Sequence, residues 1–170
     1  RLALDRLGLD ELWWLVSPQN PLKPAGGMAA FEARLAGARE QADDPRIVVS
    51  DMERRLGTRY TADTLRALAQ RFPQIGFVWV MGADNLTEIS AWRNWTAIFE
   101  TVPIAVFDRP TYSYGALESG AARRYASSRI DQRRARGLAG LEPPAWVFVR
   151  DTLHAASATA IREERAGDKS

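Results

Sequence analysis

Cysteine is absent from this sequence, and histidine occurs once, as His154. The first absence excludes disulfide scaffolds, thiolate zinc sites and cysteine nucleophiles, and it fits a reducing cytoplasm. The second excludes paired-imidazole metal sites and any catalytic motif that needs two histidines within these residues. Long apolar runs are also lacking. The longest, around Phe77 to Met81, has the length of a strand rather than the roughly 20 residues of a membrane span. Charge of one sign is barely in excess: 23 Lys plus Arg stand against 21 Asp plus Glu, a net of +2 that announces no nucleic-acid partner. With 170 residues, 46% of them hydrophobic and 26% charged, the remainder describes one ordinary globular domain spanning the whole chain. Nothing in the pattern sets an oligomeric state.

Arg1 to Gly8 reads as the later part of an amphipathic helix capped by Gly8, so the chain is expected to open in mid-domain. Glu11 to Ser17 is a continuous apolar run suited to a parallel strand covered on both faces. The prolines between Pro18 and Pro24 make the following segment a shaped loop. Further along, helices are expected over Met28 to Glu40, Thr61 to Phe72, from Ala83, Trp92 to Phe99, Ala116 to Tyr125, and from Ser157. Strands are expected over Arg46 to Ser50, Ile75 to Met81, Val102 to Phe107 and Ala145 to Val149. This alternation specifies an α/β fold, a doubly wound and mostly parallel sheet with helices on both faces. Ligands of such sheets bind outside the carboxyl ends of the strands, which directs attention to the loops after Ser17, Ser50, Met81, Phe107 and Val149.

Several residues on those loops carry chemistry. Ser157, Thr159 and Arg162 fall at the start of the last expected helix, where unpaired backbone N–H groups and the dipole favour phosphate. Gly82 gives a sharp strand exit, and Asp84 behind it is placed to accept from ribose hydroxyls, or else to cap its own helix. Thr61 and its neighbours offer hydroxyls and N–H groups to a carboxylate or phosphate; capping alone would also account for Thr61. Trp92 and Trp95 stand one helical turn apart on the expected helix, a spacing more typical of core than of a stacking platform. Asn20, Lys23 and Arg109 add amide and cationic groups on two other loops. The six arginines between Arg123 and Arg136 read as a solvated helical face ahead of an RNA-binding strip, and His154 as a loop imidazole facing solvent.

Taken in order, Pro18-x-Asn-Pro-x-Lys23, Asp51-x-Glu53, Tyr60-Thr-x-x-Thr-Leu65, Gly82-x-Asp-Asn-Leu86 with Trp92-x-x-Trp95, Arg109-Pro110 and Ser157-x-Thr-x-Ile-Arg162 resemble bacterial nicotinate-nucleotide adenylyltransferases. The resemblance implies a Rossmann-like nucleotidylyltransferase that transfers AMP from ATP to nicotinate mononucleotide, with magnesium carried on the ATP phosphates and no metal site of its own. It implies that Ser157, Thr159 and Arg162 meet the ATP phosphates and act on the leaving group, and that Gly82 and Asp84 hold the adenosine. Thr61, Trp92 and Arg93 then face the nicotinate, with Lys23 and Arg109 as further phosphate contacts. Neither nucleic acid nor membrane is implied as a partner. The wider superfamily leaves open adenylyl transfer to another phosphorylated cofactor precursor, and a non-catalytic nucleotide-binding module. The second alternative rests on a departure, because such enzymes open with a strand and a His-x-Gly-His motif that does not stand here. The expectation is that this first strand is missing from the chain, and that these residues catalyse little or nothing if they are the whole molecule. Ala158 is a smaller departure, where many such enzymes carry a second serine.

Overall fold

The computed structural model describes residues 1–18, 30–108 and 113–150. Helix α1 (Leu2–Leu7) ends as expected, with Gly8 left-handed at φ 64 and its N–H returned to the Leu4 carbonyl. Strand β1 (Leu12–Leu15) follows, and α2 (Phe31–Gln41) leads across to β2 (Ile47–Ser50), which pairs with β1 in parallel, Trp13 opposite Val48. Leu35 and Ala38 of α2 close over Val16 and Val49 in a small core of their own. A short helix α3 (Met52–Leu56), not foreseen from the pattern, starts where the Ser50 hydroxyl accepts from the Met52 N–H (3.2 Å) and stops at left-handed Gly57. Helix α4 (Thr61–Arg71) buries Leu65 and Leu68 at helical spacing.

The second half is built on β3 (Trp79–Gly82), α5 (Ala83–Glu88), α6 (Trp95–Thr101), β4 (Ile104–Phe107), α7 (Ser113–Leu117), α8 (Gly120–Arg124), β5 (Arg129–Ile130) and β6 (Trp146–Val149). The strands form one parallel sheet in the order β3-β4-β6-β5. Residues 104–106 and 146–149 are buried, which is the all-apolar signature of a parallel strand covered on both faces. On one face lies a large cluster that includes Leu86, Ile98, Phe99 and Tyr125; on the other, Leu7, Leu138 and Val147 belong to a second. Trp146 anchors the sheet, its indole N–H donating to the Tyr125 carbonyl at 2.7 Å.

Five expectations are corrected. The strands form a two-stranded sheet and a four-stranded sheet rather than one, since no ladder joins β1 to β3 among the described residues. Those two strands flank an apolar cleft of about 600 Å³, lined among others by Leu12, Leu15, Trp79 and Val80. Because they border it, neither strand is covered as expected: Trp14 is 38% exposed, and Ile75 at 45% lies outside a strand that begins only at Trp79. Trp13 leans across one side of the gap, edge-on to Phe72 and Phe77 at 5.6 Å each. The segment from Ala116 to Tyr125 is two helices, because the Ser119 hydroxyl accepts from the Ala122 N–H (3.2 Å) and restarts the winding. Arg123 to Arg136 is no single helix; it passes through the end of α8, strand β5 and a 3-10 stretch begun by Asp131, whose carboxylate accepts from the Arg133 N–H (2.8 Å). Its arginines are exposed, as expected of a solvated run. Nor is Trp92 helical, and the consequence belongs to the site.

Candidate active site

The described site residues follow the carboxyl ends of β2 and β3: Thr61 on the segment after β2, and Gly82, Asp84, Trp92 and Arg93 at or after the end of β3. Gly82 closes β3 in an extended conformation (φ −82, ψ 161) and serves as the N-cap of α5, with no side chain capping that end. Asp84 is the second residue of α5 and half-buried, so its carboxylate stands in the first turn as the sequence placed it.

Thr61 is the first residue of α4 rather than its cap. Tyr60 occupies the cap position, extended at φ −118 and ψ 139, and no side chain satisfies the first-turn donors. What holds this end is a buried hydroxyl one turn in. Thr64, 1% exposed, donates from Oγ1 to the Tyr60 carbonyl (3.2 Å) and pairs with the Thr58 hydroxyl at 2.8 Å. The amides of Thr61 and Ala62 meet no acceptor among the described residues.

Across from this end lies the Trp92 turn. A 3-10 helix (Ile89–Ala91) ends at Trp92, which is extended at ψ 146; Asn94 is left-handed at φ 52, and α6 begins at Trp95. The Trp95 N–H returns to the Trp92 carbonyl at 3.3 Å, so Trp92 and Trp95 bracket a turn instead of sharing a helical face. The physical reason is Asn94: a left-handed residue breaks the winding that the spacing alone implied. Trp95 joins the core, edge-on to Phe99 and Tyr125 at 6.0 Å each. Trp92 is partly buried, and its indole Nε1 is enclosed without an acceptor among the described residues. Arg93, exposed at the tip of the turn, sets its guanidinium 4.7 Å from the centre of the Tyr60 ring. Thus two segments separated in the sequence meet through their side chains, beside amide and indole donors that meet no acceptor among the described residues.

Two groups were not assigned roles from the sequence. Glu53, in the first turn of α3 beyond β2, is half-buried; partial burial holds its carboxyl above the ordinary glutamate range, and the Ser17 hydroxyl donating to it draws it partly back. Arg34 donates to the carbonyls of Ser17 and Pro18 at 2.6 and 2.8 Å, tying α2 to the exit of β1. The Asp51-x-Glu53 spacing was the only signal for the first, and Arg34 had none. Lys23, Arg109, Ser157, Thr159 and Arg162 lie outside the described residues, as do Asn20 and His154. Among the described residues no group of three or more His, Cys, Asp or Glu is placed to hold a metal ion, and no helix is long and apolar enough to cross a membrane.

An α/β scaffold of parallel strands, with uncapped helix starts at their carboxyl ends, places this chain in the doubly wound class of proteins, whose ligands bind at that edge of the sheet. Residues 1–164 match the cytidylyltransferase-like family, to which this chain belongs. A probable nicotinate-nucleotide adenylyltransferase of Parvibaculum lavamentivorans is 54% identical over 163 residues, 96% of this chain and 81% of that protein. One of the same name from Methylorubrum extorquens is 48% identical over 95% of this chain and 88% of its own length. Among solved structures, Plasmodium falciparum nicotinic acid mononucleotide adenylyltransferase complexed with APC superposes with a TM-score of 0.57 over 89% of this chain and 66% of its own. At 14% identity that likeness speaks to the fold alone.

Proposed function

We propose that this chain carries out adenylyl transfer in NAD synthesis, joining the AMP of magnesium-bound ATP to nicotinate mononucleotide and releasing pyrophosphate. The observation that carries the acceptor assignment is the meeting of the Thr61 end of α4 with the Trp92–Arg93 turn, where the Arg93 cation lies over the Tyr60 ring beside the uncapped first turn of α4. Donors without acceptors suit a carboxylate better than an amide, whose NH₂ group would find nothing to receive it. The relatives that share about half of the sequence carry the name of this activity, which supports the same reading.

In the reaction a phosphate oxygen of the mononucleotide attacks the α-phosphorus of ATP. The bond from that phosphorus to the bridging oxygen breaks, and the electron pair leaves with pyrophosphate; magnesium carried on the ATP phosphates would supply positive charge there. The protein's work is to align two polyanions and to place positive charge on the leaving side. Ser157, Thr159 and Arg162 take that second part in this proposal, while Gly82 and Asp84 seat the adenosine. Thr61, Trp92 and Arg93 orient the pyridine acid, and Lys23 and Arg109 contact phosphate. A cytoplasmic location is part of this proposal, since both proposed substrates are water-soluble phosphorylated nucleotides.

Turnover of nicotinate mononucleotide measured beside its amide counterpart, FMN and phosphopantetheine tests the assignment. The acid is expected to be preferred; equal turnover, or preference for another acceptor, overturns it. Arg162→Ala is expected to lower kcat by about 100- to 1,000-fold, roughly 3–4 kcal/mol of charge stabilisation at the transition state. Unchanged kinetics in a folded variant would remove Arg162 from the site.

A further inference from the structure

The Tyr60–Arg93 contact joins two segments whose backbones are each already held. Thr64 holds the Tyr60 carbonyl with its N–H at 3.0 Å and its hydroxyl at 3.2 Å, so the backbone at the head of α4 does not depend on the Tyr60 ring. On the other side, the Trp92 N–H bonds the Ile89 carbonyl at 2.9 Å and the Trp95 N–H bonds the Trp92 carbonyl at 3.3 Å, which shapes the turn from within. None of these hydrogen bonds joins the two segments, which share the core that holds Ala62, Leu65, Trp92 and Trp95 but, among the described residues, have no directional contact through it. The guanidinium of Arg93 supplies one, 4.7 Å from the Tyr60 ring centre, and among the described residues it makes no ion pair. The ring quadrupole attracts a cation over its face, and that attraction has a direction and an optimum distance that mere apolar contact lacks.

We infer that Tyr60 is a positioning residue for acceptor specificity: its ring holds the Arg93 guanidinium at the head of α4, beside the Thr61 amide. The inference rests on the assignment of those segments to the pyridine acid. Its physical content is that losing the ring leaves the fold and the ATP side untouched, because the core still holds both segments, while the Arg93 charge loses its fixed place beside the Thr61 amide. Arg93 then swings into solvent, and its charge no longer favours an acid over an amide.

Tyr60→Leu keeps bulk and removes the quadrupole; Tyr60→Phe keeps the ring. Relative to the wild type, Tyr60→Leu is expected to raise KM for nicotinate mononucleotide about tenfold and to shrink the acid-over-amide preference equally, with kcat and the KM for ATP within about twofold. Tyr60→Phe is expected to restore wild-type values. Should Tyr60→Leu fold poorly, Arg93→Gln breaks the contact from its exposed side without touching α4. It is expected to cause the same acceptor-specific loss, and the double variant Tyr60→Leu with Arg93→Gln is expected to be no worse than the worse single. Equal rises in both KM values, identical behaviour of Leu and Phe, or additive effects in the double variant would overturn the role of Tyr60. A wild type without preference for the acid would instead sink the underlying acceptor assignment, whatever the variants do.

Discussion

Thr64 carries more of the site than its type would announce. Its hydroxyl is buried, pairs with Thr58 at 2.8 Å and reaches the carbonyl of Tyr60, so it shapes the loop that delivers Thr61. Replacing it by Val keeps the volume but strands the Thr58 hydroxyl, and is expected to cost about 1–2 kcal/mol in urea unfolding. A loss below a few tenths would mean that the loop is held elsewhere. Glu53 gives a pH signature. Its folded pKa is raised by burial, so the unfolded chain ionises first as pH rises, and stability contributed by the protonated form is lost as pH climbs through the folded value. Glu53→Gln is therefore expected to raise the urea midpoint at neutral pH, with a gain that shrinks towards about pH 4, near the ordinary glutamate range. A gain independent of pH would refute the burial argument. Asp84 and Gly82 were legible from the sequence because strand exit, turn and first helical residue are adjacent in the chain. The Tyr60–Arg93 contact was not, since 33 positions separate its partners and no local rule pairs a tyrosine with a distant arginine.

At the scale of elements, periodicity located most helices and strands and misjudged their ends. Helix α4 was readable because Leu65 and Leu68 recur at its period and Pro73 follows. The region from Trp92 was misread, because an asparagine adopting left-handed φ looks in sequence like any helix-neutral residue. The 3-10 stretch Gln132–Gly140 was hidden by its arginines, and only Ala135 and Leu138 face inward. This stretch is tied to the approach of β3 at Gly76, where an added Cβ would lie 2.8 Å from the Ala139 carbonyl oxygen. Gly76→Ala is accordingly expected to destabilise by about 1–3 kcal/mol, because two backbones would have to part. Thermal unfolding of this variant against Gly37→Ala, where nothing lies within 4 Å, measures the effect; equal melting temperatures would show that the approach yields freely.

For the whole molecule, the division into two sheets sets a hierarchy of stability. Strand β4 is hydrogen-bonded to β3 on one side and β6 on the other and is almost wholly buried, whereas among the described residues β1 is paired only with β2 and leaves Trp14 part-exposed beside the cleft. A two-stranded ladder is weak by itself, so backbone amides of residues 12–15 are expected to exchange hydrogen through openings that cost less than those of residues 104–107. Equal protection of the two strands would mean that the sheets open as one unit. The sequence by itself determined the α/β class, the run of buried strands and the order of donor-bearing loops, since each depends on neighbours a few positions apart. Only the tertiary structure decided which strands pair, that β1 and β3 face a cleft instead of each other, and that Tyr60 meets Arg93. Those outcomes depend on which distant surfaces bury one another, and period and turn chemistry do not encode that choice.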